Sequence, residues 1–166
     1  MSTVAAILRS YRAPREVIIT HRASGVDEAT GLTWLFVACI LIFVAELPEL
    51  ARLSHLEGGN VPVASLALPR FYGVVLLAPL MFLLIAAVSH LIAKLVGGRG
   101  TWLDARLALF WSLLAVTPLV LFQGLIAGFI GAGPALTIAA TLVGSAFLFI
   151  WLNSLYALER PQKGTA

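Results

Sequence analysis

The chain is 166 residues long, 60% hydrophobic and only 11% charged, with a mean hydropathy of +0.98. A soluble domain carries about 25% charged and roughly 45–50% apolar residues, so this chain cannot cover itself with polar surface and its apolar side chains must face lipid. That excludes a free cytosolic enzyme. The 11 basic and 8 acidic residues are scattered over short segments, which reads as a membrane-topology signal and not as a nucleic-acid groove. Cys39 is the single cysteine, so neither an internal disulfide nor a cysteine-rich metal site is available.

In chain order, residues 1–28 form a basic, amphipathic cytoplasmic segment. Val4, Ile7, Leu8 and Tyr11 fall on one helical face with Arg9 and Arg12 elsewhere, and Pro14 suits the first turn of a second short helix. The pattern fits a basic helix lying on anionic lipid, or else a frayed tail. Ser24 and Asp27 have capping-box spacing and open the first span. Residues 29–45 hold no charge and would run roughly 26 Å as a helix, just enough for the hydrocarbon core. No cleavage site precedes this run, so the first span is expected to stay in place as the targeting element. Leu50, Leu53 and Leu56 then recur every three residues, which predicts a separate short surface helix, and Gly58, Gly59, Asn60 and Pro62 make the rest of that loop irregular.

Residues 71–93 form the second span. Thr101 and Asp104 repeat the capping-box spacing before the third. Residues 107–158 hold no charge, and one helix of that length would reach roughly 78 Å, so the segment must turn back. Gly128, Gly131, Gly133 and Pro134 mark the turn between spans 107–127 and 135–158. The predicted fold class is all-α: a polytopic transmembrane helical bundle of four spans within 29–158, followed by a short cytoplasmic tail, 159–166. An N-terminus-inside topology places Arg9, Arg12, Arg15, Arg22, Lys94, Arg99, Arg106, Arg160 and Lys163 in the cytoplasm and leaves only Arg52 and Arg70 outside. This strong positive-inside bias puts both termini in the cytoplasm.

Few side chains inside the spans carry chemistry. His90 and Lys94 share a helix face; Lys94 is expected to snorkel, and His90 to hydrogen-bond Asn153 or Ser154, since no acidic residue of the spans lies at its depth. Glu46 sits at a membrane boundary with Arg70 or Arg52 as its partner. Gln123 reads as an interhelical hydrogen bond. Pro79 and Pro118 remove amide donors from Val75 and Leu114 and should kink their helices. Gly124 with Gly128, and Ala140 with Gly144, have the small-residue spacing that lets helices pack closely, within one chain or between chains. His21, His55 and His90 lie in three different places of this topology and do not form one metal site. With no phosphate loop, no HExxH, no Ser–His–acid set and no pair of intramembrane carboxylates, neither an enzyme nor a cofactor is expected.

Two stretches carry a family resemblance. Arg12-Ala-Pro-Arg-Glu-Val17, and Gly97-Gly-Arg-Gly-Thr-Trp102 followed by Ala115-Val-Thr-Pro118, resemble the Yip (Ypt-interacting protein) family of integral membrane proteins. There a short cytoplasmic segment with a similar proline motif precedes the membrane domain, and a glycine-rich turn enters a proline-containing helix. The family usually has five spans, against four here. The richness in Ala and Leu resembles bacterial members, which implies the cytoplasmic (inner) membrane of a bacterium; the Rab-type GTPase partners of eukaryotic members are not carried over.

The function expected is that of a non-catalytic interaction or membrane-organising module whose partners are membrane lipids, itself or another membrane protein, and not nucleic acid. Arg9, Arg12, Arg15 and Arg99 are the candidate interaction or lipid-facing surface, and Glu46, His90, Gln123 and Asn153 the candidate intramembrane polar contacts. The alternatives are a small transporter or channel, in which Glu46, His90 and Gln123 line one polar path, and an accessory subunit of a larger membrane complex.

Overall fold

Helix α6, Trp102–Phe129, begins where the sequence predicts, because Thr101 and Asp104 do close a capping box. The Thr101 hydroxyl oxygen accepts from the Asp104 amide, and the Asp104 carboxylate accepts from the Thr101 amide at 2.7 Å. From residue 107 to residue 117 every position of α6 is buried. A helix apolar all round demands cover on every side, and the chain supplies it. The structure, a computed structural model, describes residues 2–58 and 61–159. Around α6 stand α1 (Thr3–Ser10), α2 (Pro14–Ala23), α3 (Glu28–Leu56) and α7 (Pro134–Glu159), together with a continuous rod, Val63–Leu95. The rod comprises α4 (Val63–Phe71), a π-helical segment (Tyr72–Leu77) and α5 (Ala78–Leu95).

The protein is thus an all-helical bundle. Four of its helices, α3, the rod, α6 and α7, are long and apolar enough to cross a membrane. Large apolar side chains cover the outward faces, among them Leu80 and Leu84 of α5 and Ile138 and Leu142 of α7. The end that holds α1, α2 and the 97–101 turn is called proximal below, and the opposite end distal.

Several elements run further than their charge-free stretches. Helix α3 continues through Glu46 and Pro48 to Leu56, so Leu50, Leu53 and Leu56 extend the first span and are not a separate surface helix. At about 1.5 Å per residue α3 is roughly 43 Å long, and its distal end stands clear of a hydrocarbon core about 30 Å thick. Asp27 alone caps α3, accepting from the Thr30 amide, while Ser24 closes α2 instead of pairing with Asp27. Of the loop predicted to be irregular, Gly59 and Asn60 lie outside the described residues, as do Arg160, Lys163 and the rest of the 159–166 tail beyond Glu159.

The two prolines predicted to break helices are accommodated differently. Pro79 opens α5, and the chain before it widens into the π segment, where the Ala78 amide donates to Gly73 O. Pro118 lies within a continuous α6. It leaves the Leu114 carbonyl without its usual donor, and the Thr117 hydroxyl donates to that oxygen at 2.8 Å.

Gly124 and Gly128 let α6 meet α3 within the same chain. A Cβ on Gly124 would strike the Ala45 carbonyl, and one on Gly128 would strike Pro48. Ala140 and Gly144 are exposed, and Gly144 has nothing within 4 Å of where its Cβ would lie. Gly124→Val should therefore destabilise the bundle by about 2 kcal/mol or more, since backbone and not a movable side chain blocks the space. Gly144→Ala should be close to neutral. Reversible unfolding in mixed detergent micelles measures both.

Candidate functional site

The N-terminal helices form a hairpin docked against the bundle. Ala6, Val17 and Ile18 are buried in the same core as Leu35, Phe110 and Trp111. The buried face of α1 is Ala6 and Ser10, flanked by Ile7 and Tyr11, whereas Val4 and Leu8 point outward, 67% and 66% exposed. This differs from the face expected of a helix lying on lipid, and hydrogen bonding is the reason. Trp111 Nε1 donates to Ser10 Oγ at 2.9 Å, and Tyr11 Oη donates to the Ala115 carbonyl at 2.7 Å. Ala115 lies about 20 Å along α6 from its first residue. The turn between α1 and α2 therefore reaches towards mid-bundle, next to the gap that Pro118 leaves in the α6 ladder.

At the proximal rim, Arg22 of α2 pairs with Asp104 of α6 at 2.6 Å, and Arg106 pairs with Glu28 of α3. His21 stands between Trp34 of α3 and Trp111 of α6, with ring centroids 5.1 and 4.3 Å away. Its Nε2 is buried without a hydrogen-bond partner. Loss of water around the ring is the main cause that holds the His21 pKa below its ordinary value of 6.5.

Across α6, Glu159 at the end of α7 holds the 97–101 turn. Its carboxylate meets His90 Nδ1 at 3.0 Å and accepts from the Gly100 amide at 2.9 Å, while its backbone carbonyl accepts from the Arg99 amide. Gly97, at φ 88, ends α5 in a left-handed turn, with Gly98 N donating to Ala93 O and Gly97 N to Lys94 O. A side chain on Gly98 or Gly100 would strike the Glu159 carboxylate. The glycine-rich sequence is thus a close-fitting seat for one acid.

These contacts revise the predicted polar pairs. His90, fully buried against Trp102, binds Glu159 and not Asn153 or Ser154. Asn153 accepts from Arg15 Nε at 2.9 Å and donates to the Phe149 carbonyl, and Ser154 Oγ is buried without a partner. Glu159 is the acid that sequence reasoning missed: it was assigned to the tail, although it directly follows the fourth apolar run at the same depth as His90. Of the four arginines proposed as one surface, Arg9 pairs with Glu16, and Arg15 binds Asn153 and lies over the Tyr156 ring. Arg12 and Arg99 are exposed, and among the described residues neither side chain meets an acceptor.

At the distal end Glu46 pairs with Arg70 at 3.3 Å, one of the two partners foreseen, while Arg52 donates to the Phe129 carbonyl. Glu46, Glu49, Arg70 and Gln123 line a cavity of about 250 Å³ with Ile42 and Val120. Gln123 makes no hydrogen bond among the described residues, so it is not the interhelical tie predicted for it. The structure brings Glu46 and Gln123 together and leaves His90 at the other end, beyond the buried stretch of α6. Among the described residues no three His, Cys, Asp or Glu side chains group to hold a metal ion. No protein-family model matches the chain, and neither a curated protein nor a solved structure gives a significant match.

Two predictions follow from the proximal end. Glu159→Ala strands a buried imidazole and the Gly100 amide, and should cost about 2–4 kcal/mol and open the 97–101 turn to limited proteolysis. For His21, the folded chain binds fewer protons than the unfolded one, so hairpin docking should weaken as the pH falls below 6.5 and recover above it. Hydrogen exchange of α2 amides, corrected for intrinsic rate, should rise across that range in the wild type and stay flat in His21→Phe.

Proposed function

We propose that the protein is a non-catalytic, Yip-like membrane protein of the bacterial inner membrane, with both termini cytoplasmic, acting as an interaction or membrane-organising module. The observation that carries this reading is the use of the proximal polar groups. Asp104, Glu28, Glu159, His90, Ser10 and Trp111 Nε1 are each spent on another group of the same chain. Such pairing fixes a shape and leaves these groups no free capacity for a reactant. Beside this fixed scaffold, Arg12, Arg99, Val4 and Leu8 are outward-facing. The clustering of Arg9, Arg12, Arg15, Arg22, Lys94, Arg99 and Arg106 towards the proximal end supports its assignment to the cytoplasm.

The Yip-like assignment draws support from the contact between its two motifs. Tyr11, immediately before the Arg12–Val17 motif, donates to Ala115, the first residue of the Ala-Val-Thr-Pro motif. A second reading, a small transporter or channel, is favoured only by the distal cavity that joins Glu46, Glu49, Arg70 and Gln123.

The test is affinity purification from native membranes in mild detergent, combined with photo-crosslinking from positions 8 and 99. A module should give one membrane partner that both crosslinks and co-purifies, and lose it in Arg12→Glu/Arg99→Glu. A chain that purifies alone, with no crosslink from either position, overturns the reading. Flux through proteoliposomes that is lost in Glu46→Gln would establish the second.

A further inference from the structure

The α5 and α7 helices both lean on α6, and where they leave the bundle at the proximal end a groove of about 370 Å³ lies between them. Its walls are Ala93 and Val96 on one side and Leu152, Leu155 and Tyr156 on the other, with Gly97, Gly98 and Glu159 closing the end. The groove straddles a membrane boundary. Charge-free helix runs up to Ala93 on α5 and Leu158 on α7, and the first charges beyond are Lys94 and Glu159. Leu91, Ile92, Leu95, Val96 and Leu152, all more than half exposed, continue the apolar surface outward from its mouth. A slot that opens sideways at this depth faces lipid.

The charge around the mouth identifies the lipid. Lys94 and Arg99 flank the Val96–Gly98 wall; both are exposed, and neither side chain meets an acceptor among the described residues. Arg15 lies over the Tyr156 ring on the opposite wall, and its hydrogen-bond partner, Asn153, is neutral. The one carboxylate in the lining, Glu159, is turned to His90 and the Gly100 amide. Three cations without an acidic partner therefore ring an apolar slot. We infer that this groove is a binding site for an anionic phospholipid, with an acyl chain between α5 and α7 and the phosphate held by Lys94, Arg99 and Arg15. The lipid would fill the wedge between two helices that touch α6 more than they touch each other. The site is independent of the partner reading above, because its walls and cations are this chain's own.

The test is lipid binding to delipidated protein in neutral detergent, followed by native mass spectrometry with phosphatidylglycerol or phosphatidylcholine. The wild type should retain one phosphatidylglycerol per chain in preference to phosphatidylcholine. Lys94→Gln/Arg99→Gln should cut that preference about tenfold, the change expected when one charge-assisted contact is lost. Ala93→Phe should lower the binding of both lipids by filling the slot; Leu152→Trp, on an exposed position, does the same if Ala93→Phe does not fold. Equal retention of the two lipids by the wild type overturns the inference, and so does unchanged binding in a folded slot-filling variant. Glycerol phosphate that competes as well as the whole lipid would reduce the site to an anion site and overturn the lipid assignment.

Discussion

A polar group at membrane depth has no water to fall back on, so each one must be met by another group of the chain. This constraint arranges the proximal half of the bundle around α6. Where Pro118 withholds a donor, the Thr117 hydroxyl turns back to the Leu114 carbonyl, and one residue along the Tyr11 hydroxyl arrives from a distant helix to meet Ala115. The Trp111 indole is answered by Ser10, and the Asp104 carboxylate by its own cap and by Arg22. Remove the N-terminal hairpin and the Trp111 indole loses its partner and the Asp104 carboxylate its cation, both on a helix that is otherwise wholly apolar. The hairpin is therefore part of the membrane domain and not an appendage to it.

The glycine-rich turn obeys the same constraint from the other side. Helices end with carbonyls that have no partners, and here the ends of α5 and α7 meet. The left-handed Gly97 returns two amides to α5, and the next residues spend theirs on α7: Arg99 on the Glu159 carbonyl, Gly100 on its carboxylate. Any side chain at 98 or 100 would displace that carboxylate and with it the contact to His90. Three glycines thus lock two helix ends to one acid, which accounts for a stretch that would otherwise read as a loose linker.

What was legible in the sequence follows the physics that is local. Span number, the α6 cap and the glycine turns before α6 and α7 depend on charge-free length and on residues a few positions apart, and these came through. Helix ends were placed too early at Ala45 and too late at Phe71, because a charge such as Glu46 or Arg70 marks a membrane boundary and not the end of a helix. The two then pair with each other across adjacent helices. The polar partners of His90 and Trp111 were not legible, since they join residues far apart in the chain at a depth that hydropathy alone does not rank. Glu159 offered a usable signal: an acid one residue past an apolar run lies level with the last turn of a neighbouring antiparallel span.

The two ends of the bundle differ in what they leave open. At the proximal end acids and cations are unequal in availability: Asp104, Glu28, Glu16 and Glu159 are all engaged, while Arg12, Lys94 and Arg99 meet no acceptor among the described residues. At the distal end the imbalance is reversed, with Glu49 and the Gln123 amide beside a single Glu46–Arg70 pair in an open cavity. A bundle that uses up its acids where it is basic keeps a positive field at that face without burying an unpaired charge. Such a face attracts phosphate headgroups or acidic protein segments over about a Debye length. The apolar groove between α5 and α7 then decides between them locally, because a headgroup brings with it the acyl chain that the slot can bury, and an acidic segment does not.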